Sequence, residues 1–155
     1  MGTVKADKSG LYERDYYTWA LEQESALLEH RIEEIDWENL ADEVGDLARR
    51  ERQALESQAE TLIEHLLKIA FAFPAERKAN RRRWMLSVRV SRRNIKKLLA
   101  QSRGLKPLVK DLFADAWPNG RDQALKSLKC DEATVPETPT WSFERAMDED
   151  FEPSK

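Results

Sequence analysis

Apolar residues recur along this chain at intervals of three and four, the spacing of one helical face, almost from end to end. Tyr12, Tyr16, Trp19, Ala20, Gln23 and Leu27 share such a face and predict a first helix over about 11–34. Asp36 then has the character of an N-cap, with Glu38 in the first turn, where negative charge suits the helix dipole. From there Trp37, Ala41, Val44, Ala48, Leu55, Ala59, Leu62, Leu66, Ile69 and Phe73 keep one stripe running to Pro74. That second helix would be about 57 Å long at a rise of about 1.5 Å per residue. Gly45 is its expected weak point, at about 1 kcal/mol relative to Ala.

Pro74 is expected to stop the helix, with 75–79 as a tight antiparallel link. A third helix follows over about 80–102. Trp84, Val88, Ser91, Ile95, Leu98 and Leu99 lie on one side of it, cations lie on the other, and Gly104 is placed as its C-terminal stop. Pro107 suits the start of a fourth helix carrying Leu108, Leu112, Phe113 and Ala116. Pro118-Asn119-Gly120 is expected to break or turn that helix, after which 122–128 resumes. Residues 135–140, with two prolines, read as an extended connector, and Ser142 caps a last short helix over 143–147. No segment has the pattern of a strand. The spacing predicts an all-α helical bundle built on a long antiparallel helix hairpin, about 36–73 and 80–102, with flanking helices. It forms a single helical domain over 11–153 behind a disordered N-terminus of residues 1–10. Residue numbers facing each other across the hairpin should sum to about 152, pairing Leu62 with Ser91 and Leu55 with Leu98, since both helices rise equally per residue.

The chain has 155 residues, 41% of them hydrophobic, enough for one core. No run approaches the roughly 20 apolar residues of a membrane span, and the opening residues have no apolar signal region. The single Cys130 has no intrachain partner, which fits a reducing compartment, and a cytoplasmic location is expected. Asp131 and Glu132 beside it disfavour a reactive thiolate.

The distribution of charge is more informative than the composition. Positions 77–110 hold thirteen Lys and Arg and no acid, positions 13–64 hold sixteen acids against five bases, and 111–152 hold eleven acids against four bases. The formal charge of −3 therefore conceals a basic element between acidic ones. Such a run meets opposite charge or stays solvated. Arg82, Arg89, Arg93, Lys96 and Lys97 share one arc of the third helix and are the candidate binding residues for nucleic acid or a protein partner. Leu86 and Val90 lie on that arc too, so the helix has apolar residues on both faces, the pattern of one packed against protein on two sides. The other possibility is that acidic segments of this chain cover the cations within the fold.

Catalytic and metal motifs find little support. Leu27 and Leu62 stand three positions before His30 and His65, where a di-iron bundle would need Glu. No metal-ligand spacing, nucleophile motif or phosphate-binding glycine loop occurs. Glu51 and Arg52 interrupt the long stripe and are expected to be at least half buried, in an ion pair with basic residues of the third helix, rather than catalytic. His65 is expected to be a hydrogen-bonded histidine near the base of the hairpin, close to Trp84 or Ser87, with proton transfer the alternative. With Arg92 these form the candidate structural polar core. No cofactor is implied.

Several phrases resemble a bacterial family, common in cyanobacteria, known as domain of unknown function 29. They are Tyr12-x-x-Asp15-Tyr16-Tyr17-x-Trp19, then Asp36-Trp37-Glu38-Asn39-Leu40-Ala41 with Glu43, then His65-Leu66-Leu67-Lys68. Trp84, Arg92, Leu105-Lys106-Pro107 and Asp150-Phe151-Glu152-Pro153 follow in the same order. The family's Tyr-x-x-Ala-Arg segment is replaced here by Trp117-Pro118-Asn119-Gly120-Arg121. The resemblance implies an all-α fold and brings no activity, cofactor or catalytic residue. The expected role is a non-enzymatic interaction module working through charge-segregated helical surfaces. A protein partner or self-association is expected ahead of nucleic acid, and no membrane partner is expected. The alternative is a nucleic-acid-binding or regulatory protein using the basic helix 77–110.

Overall fold

The computed structural model describes residues 9–153. It is all-α: α1 (Ser9–Arg14), α2 (Tyr16–Leu28), α3 (Trp37–Phe71), α4 (Pro74–Gln101), α5 (Val109–Ser127) and α6 (Phe143–Met147). Short 3₁₀ turns at Ile32–Glu34, Arg103–Leu108 and Glu132–Thr134 join them, and no strand occurs among the described residues. None of these helices is long and apolar enough to cross a membrane. The chain gathers into two compact units, one ending at Arg50 and one beginning at Glu51. Of the N-terminal segment expected to be disordered, Ser9 and Gly10 open α1, and the remainder lies outside the described residues.

In the first unit, the helix predicted over 11–34 is divided. Asp15 leaves helical geometry, and its carboxylate accepts hydrogen bonds from the Thr18 amide at 3.1 Å and the Thr18 hydroxyl at 2.6 Å. An aspartate that can cap the next turn competes with helix continuation, and here the cap wins. α2 ends with His30 in the left-handed region, at φ 57°. The His30 amide donates to Leu27 O at 3.2 Å and the Arg31 amide to Ala26 O at 2.8 Å, the paired bonds of a Schellman motif with histidine where glycine usually sits. Asp36 caps α3 as predicted: its Oδ1 accepts from the Asn39 amide at 3.3 Å and its carbonyl from the Leu40 amide at 3.0 Å.

In the second unit, α3 and α4 form the predicted antiparallel hairpin. Asn94 donates to Gln58 at 3.2 Å and Ser102 to Glu51 at 2.6 Å, pairs whose numbers sum to 152 and 153. The turn is tighter than expected. Only Ala72 and Phe73 lie between the helices, and Pro74 begins α4 instead of preceding a link over 75–79. Proline suits a first helical position because its absent N–H would have no partner there and its φ is already helical. Arg77 closes the corner, donating from Nη2 to the carbonyls of Ala70 and Ala72 at 2.9 and 3.1 Å, which would otherwise be orphans at the end of α3.

α5 packs on α3 and runs unbroken through Pro118, contrary to the predicted break. Proline in a helix interior costs about 3 kcal/mol. Against that cost stand Leu112, Phe113, Ala116, Trp117 and Ala124, all buried on the inner face of this helix, each contributing on the order of 1–3 kcal/mol if large and apolar. Gly120 permits the approach: a Cβ there would lie 2.8 Å from Ile63 Cβ and 2.9 Å from the Glu60 carbonyl. The core comprises Leu55, Leu62, Ile63, Leu66 and Ile69 of α3, Trp84, Val88 and Ile95 of α4, and the inner face of α5. Ser142 caps α6 through the Arg145 amide at 3.1 Å, as predicted.

A basic face on the second helix of the hairpin

Burial along α4 divides its cations by direction. Trp84, Val88, Ser91 and Ile95 point into the core, and Arg92 goes with them, only 2% exposed. Its guanidinium donates to three carbonyls of the C-terminal segment: Ala146 at 2.8 Å, Phe151 at 2.8 Å and Glu149 at 3.4 Å. Burial pulls its pKa down and the charges of Asp148 and Glu149 oppose that shift. Arg92 is a structural strap.

Around the helix, the segment it holds in place brings acids to two cations. Glu149 pairs with Lys96 and has its pKa lowered by that hydrogen bond, and Glu152 takes Arg81 through two bonds. Arg82, Arg89, Arg93 and Lys97 are exposed and have no carboxylate partner among the described residues of this unit. They follow one another at steps close to a helical repeat, with Leu86 among them, 61% exposed. Arg82, Arg83, Leu86 and Arg89 line one shallow depression; Arg89, Arg93 and Lys96 line the next, together with Glu149 and Asp150. The five cations named from sequence therefore separate into one neutralised residue, Lys96, and four that remain solvated.

The polar residues of α3 depart from expectation. Glu51 and Arg52 are exposed, not half buried. Glu51 accepts from Ser102, and Arg52 comes no nearer than 3.9 Å to Asp115 of α5, so neither pairs with a cation or acid of α4. The reason is length: α4 has ended by the position facing Glu51, and the buried stripe of α3 starts only at Leu55. Trp37 and Val44, assigned to that stripe, are 58% and 60% exposed for their part. His65 is hydrogen-bonded, as expected, but to its own helix. Its Nδ1 lies 2.9 Å from the Thr61 carbonyl, which places the proton on Nδ1. One turn on, Lys68 is almost fully buried and paired with Glu64, whose other oxygen is 3.7 Å from His65.

A second surface escaped the sequence reading. Nine of the twelve large apolar side chains left exposed fall at positions 16–47. In that unit Tyr12 and Tyr16 donate to the two oxygens of Glu43 at 2.7 and 2.8 Å, and Trp19 donates to Asp36 at 3.1 Å. Gln23, buried, accepts from the Asp36 amide at 2.7 Å. Two phrases distant in sequence are thus clasped together, and Glu43 is kept anionic by its two hydroxyl donors, its pKa lowered. Beside the clasp lies a groove of about 370 Å³ walled by Ala20, Leu27, Leu28 and Leu40, with Glu24 and Glu43 at its edge. The signal was present: Tyr17, Leu21 and Leu28 step along a second face of α2, off the one that packs inward.

No curated protein and no solved structure matches this chain. A family model does, over residues 11–152, and spans every helix from α2 to α6 together with both phrases of the clasp. By that match the chain belongs to the family described as Domain of unknown function DUF29.

Proposed function

We propose that this protein is a non-enzymatic interaction module whose docking face is the solvated basic stripe of α4, and that its partner is an acidic protein surface. The observation that carries the reading is Leu86, 61% exposed between Arg82 and Arg89. A large apolar side chain set among cations gains by meeting apolar surface ringed with carboxylates, and gains little from a phosphate backbone. The more buried ionisable groups of α3 and α4 have structural partners of their own: Arg92 straps the tail, His65 holds Thr61, and Lys68 holds Glu64.

Nucleic acid is the second reading, favoured by the four cations that no acid of their unit neutralises. Titrating the full chain with an acidic amphipathic helical peptide and with duplex DNA, each across a salt series, separates the two. Peptide binding that is lost in Leu86→Ala and in the Arg89→Glu, Arg93→Glu double variant supports the protein partner. DNA binding that ignores Leu86→Ala, with a log–log salt slope flattened by about 0.9 for each cation removed, would replace it.

A further inference from the structure

We infer that the partner docked on the basic stripe of α4 is a second copy of this chain, which receives Leu86 in the groove between its α2 and the start of its α3. This rests on the docking reading above and names its occupant. The two surfaces complement each other in apolar character and charge. The groove is concave and apolar, walled by Leu27, Leu28 and Leu40. The stripe carries one large apolar side chain, Leu86, exposed among cations. Residues 9–50 carry twelve acids against four bases, whereas positions 77–110 carry thirteen bases and no acid. Glu24 at the groove edge has no cationic partner among the described residues of its unit, and Glu43 remains ionised at neutral pH. An arginine flanking Leu86 would meet those carboxylates as Leu86 enters the groove. Each contact needs both surfaces, the knob of one copy and the groove of another.

This contact has a signature that no non-specific association shares. Leu86→Asp removes the knob and keeps the groove; Leu28→Asp spoils the groove and keeps the knob. Both side chains are exposed, at 61% and 73%, so the fold should survive, and far-ultraviolet circular dichroism checks it. Sedimentation of the full chain over a concentration and salt series is expected to show self-association that weakens as salt rises. Each variant alone should be monomeric, with its dissociation constant raised at least about tenfold. An equimolar mixture of the two should recover a one-to-one heterodimer, through the one intact knob and the one intact groove. The Arg89→Glu, Arg93→Glu variant supplies an independent disruption: mixed with Leu86→Asp, which also lacks a working stripe, it should stay monomeric, and mixed with Leu28→Asp, which keeps the stripe, it should form the heterodimer. A wild type that is monomeric throughout, or variants that fail to complement, would overturn the inference. If the monomeric wild type still bound the acidic peptide through Leu86, the docking reading would stand with a foreign partner; if it bound neither, both would fall.

Discussion

Arg92, in the second half of α4, donates from Nη2 to the carbonyl oxygen of Phe151 at 2.8 Å, across fifty-nine positions of sequence. With its bonds to Ala146 and Glu149 it makes a buried cation the fastening of the C-terminal segment. Phe151 adds its ring to the closure, 5.7 Å from Trp141 and 4.4 Å from the Arg145 guanidinium, and Trp141 in turn lies 5.7 Å from Trp117 of α5. The same segment carries Glu149 and Glu152 to Lys96 and Arg81, so Arg92 also decides which cations of α4 are neutralised.

Replacing Arg92 by Met should therefore destabilise the protein by about 3 kcal/mol, because buried carbonyls lose donors that nothing replaces. Urea denaturation measures the loss. Limited proteolysis should cut residues 128–153 faster in the variant. Arg92→Lys should rescue only part, since an ammonium is a point donor and the three carbonyls need a planar fork. An unchanged midpoint for Arg92→Met would show the strap to be incidental.

Gly120→Ala should also destabilise, by about 1–3 kcal/mol, as overpacking does. At an open helix position the same change would stabilise by up to about 1 kcal/mol, so its sign is informative. The new methyl would meet Ile63 and the Glu60 carbonyl, both closer than 3 Å, and a backbone oxygen cannot swing away. Thermal unfolding of the two proteins side by side settles it.

The opposite sign is expected at His30. Its side chain is exposed and its backbone is left-handed, so His30→Gly should relieve strain and raise stability by about 1 kcal/mol in equilibrium denaturation. A loss would mean that the imidazole contributes more than the backbone geometry costs.

The Tyr12–Glu43 contact sets a pH window for the first unit. The hydrogen bond to the Glu43 carboxylate pushes the Tyr12 hydroxyl from 10.0 up to about 12. A raised folded pKa contributes stability that is whole below 10 and is lost as pH rises towards 12. The Glu43 pKa is lowered from 4.5 by Tyr12 and then Tyr16, so its contribution is present above 4.5 and is lost as pH falls below it. In a phenolate absorbance titration, Glu43→Gln should return Tyr12 towards 10.0. A Tyr12 that titrates alike in both proteins would remove the clasp from the account.

Local architecture was legible in the chain alone: helix existence, the Asp36 and Ser142 caps, and the register of the hairpin. Caps and periodicity are written within one turn of chain, and equal rise on both helices makes the register a matter of arithmetic. Asp15 shows the limit even there, since a residue able to cap sat inside a face that looked continuous. Tertiary structure decided the rest. Periodicity says which residues share a face and not whether anything covers it, so Val44 was placed in a buried stripe and is exposed, and Glu51 was placed with a partner helix that ends too early to pair with it. Arg92 was placed in a polar core from the sequence, but its partners, three carbonyls from a distant segment, were not. Pro118 was read by its local cost alone, and the apolar contacts of α5 with α3 exceed that cost. The basic stripe was legible as charge. That Leu86 stands open within it, and that 16–47 leaves an acidic apolar groove exposed, depends on which neighbours the folded chain supplies, and no local pattern encodes that.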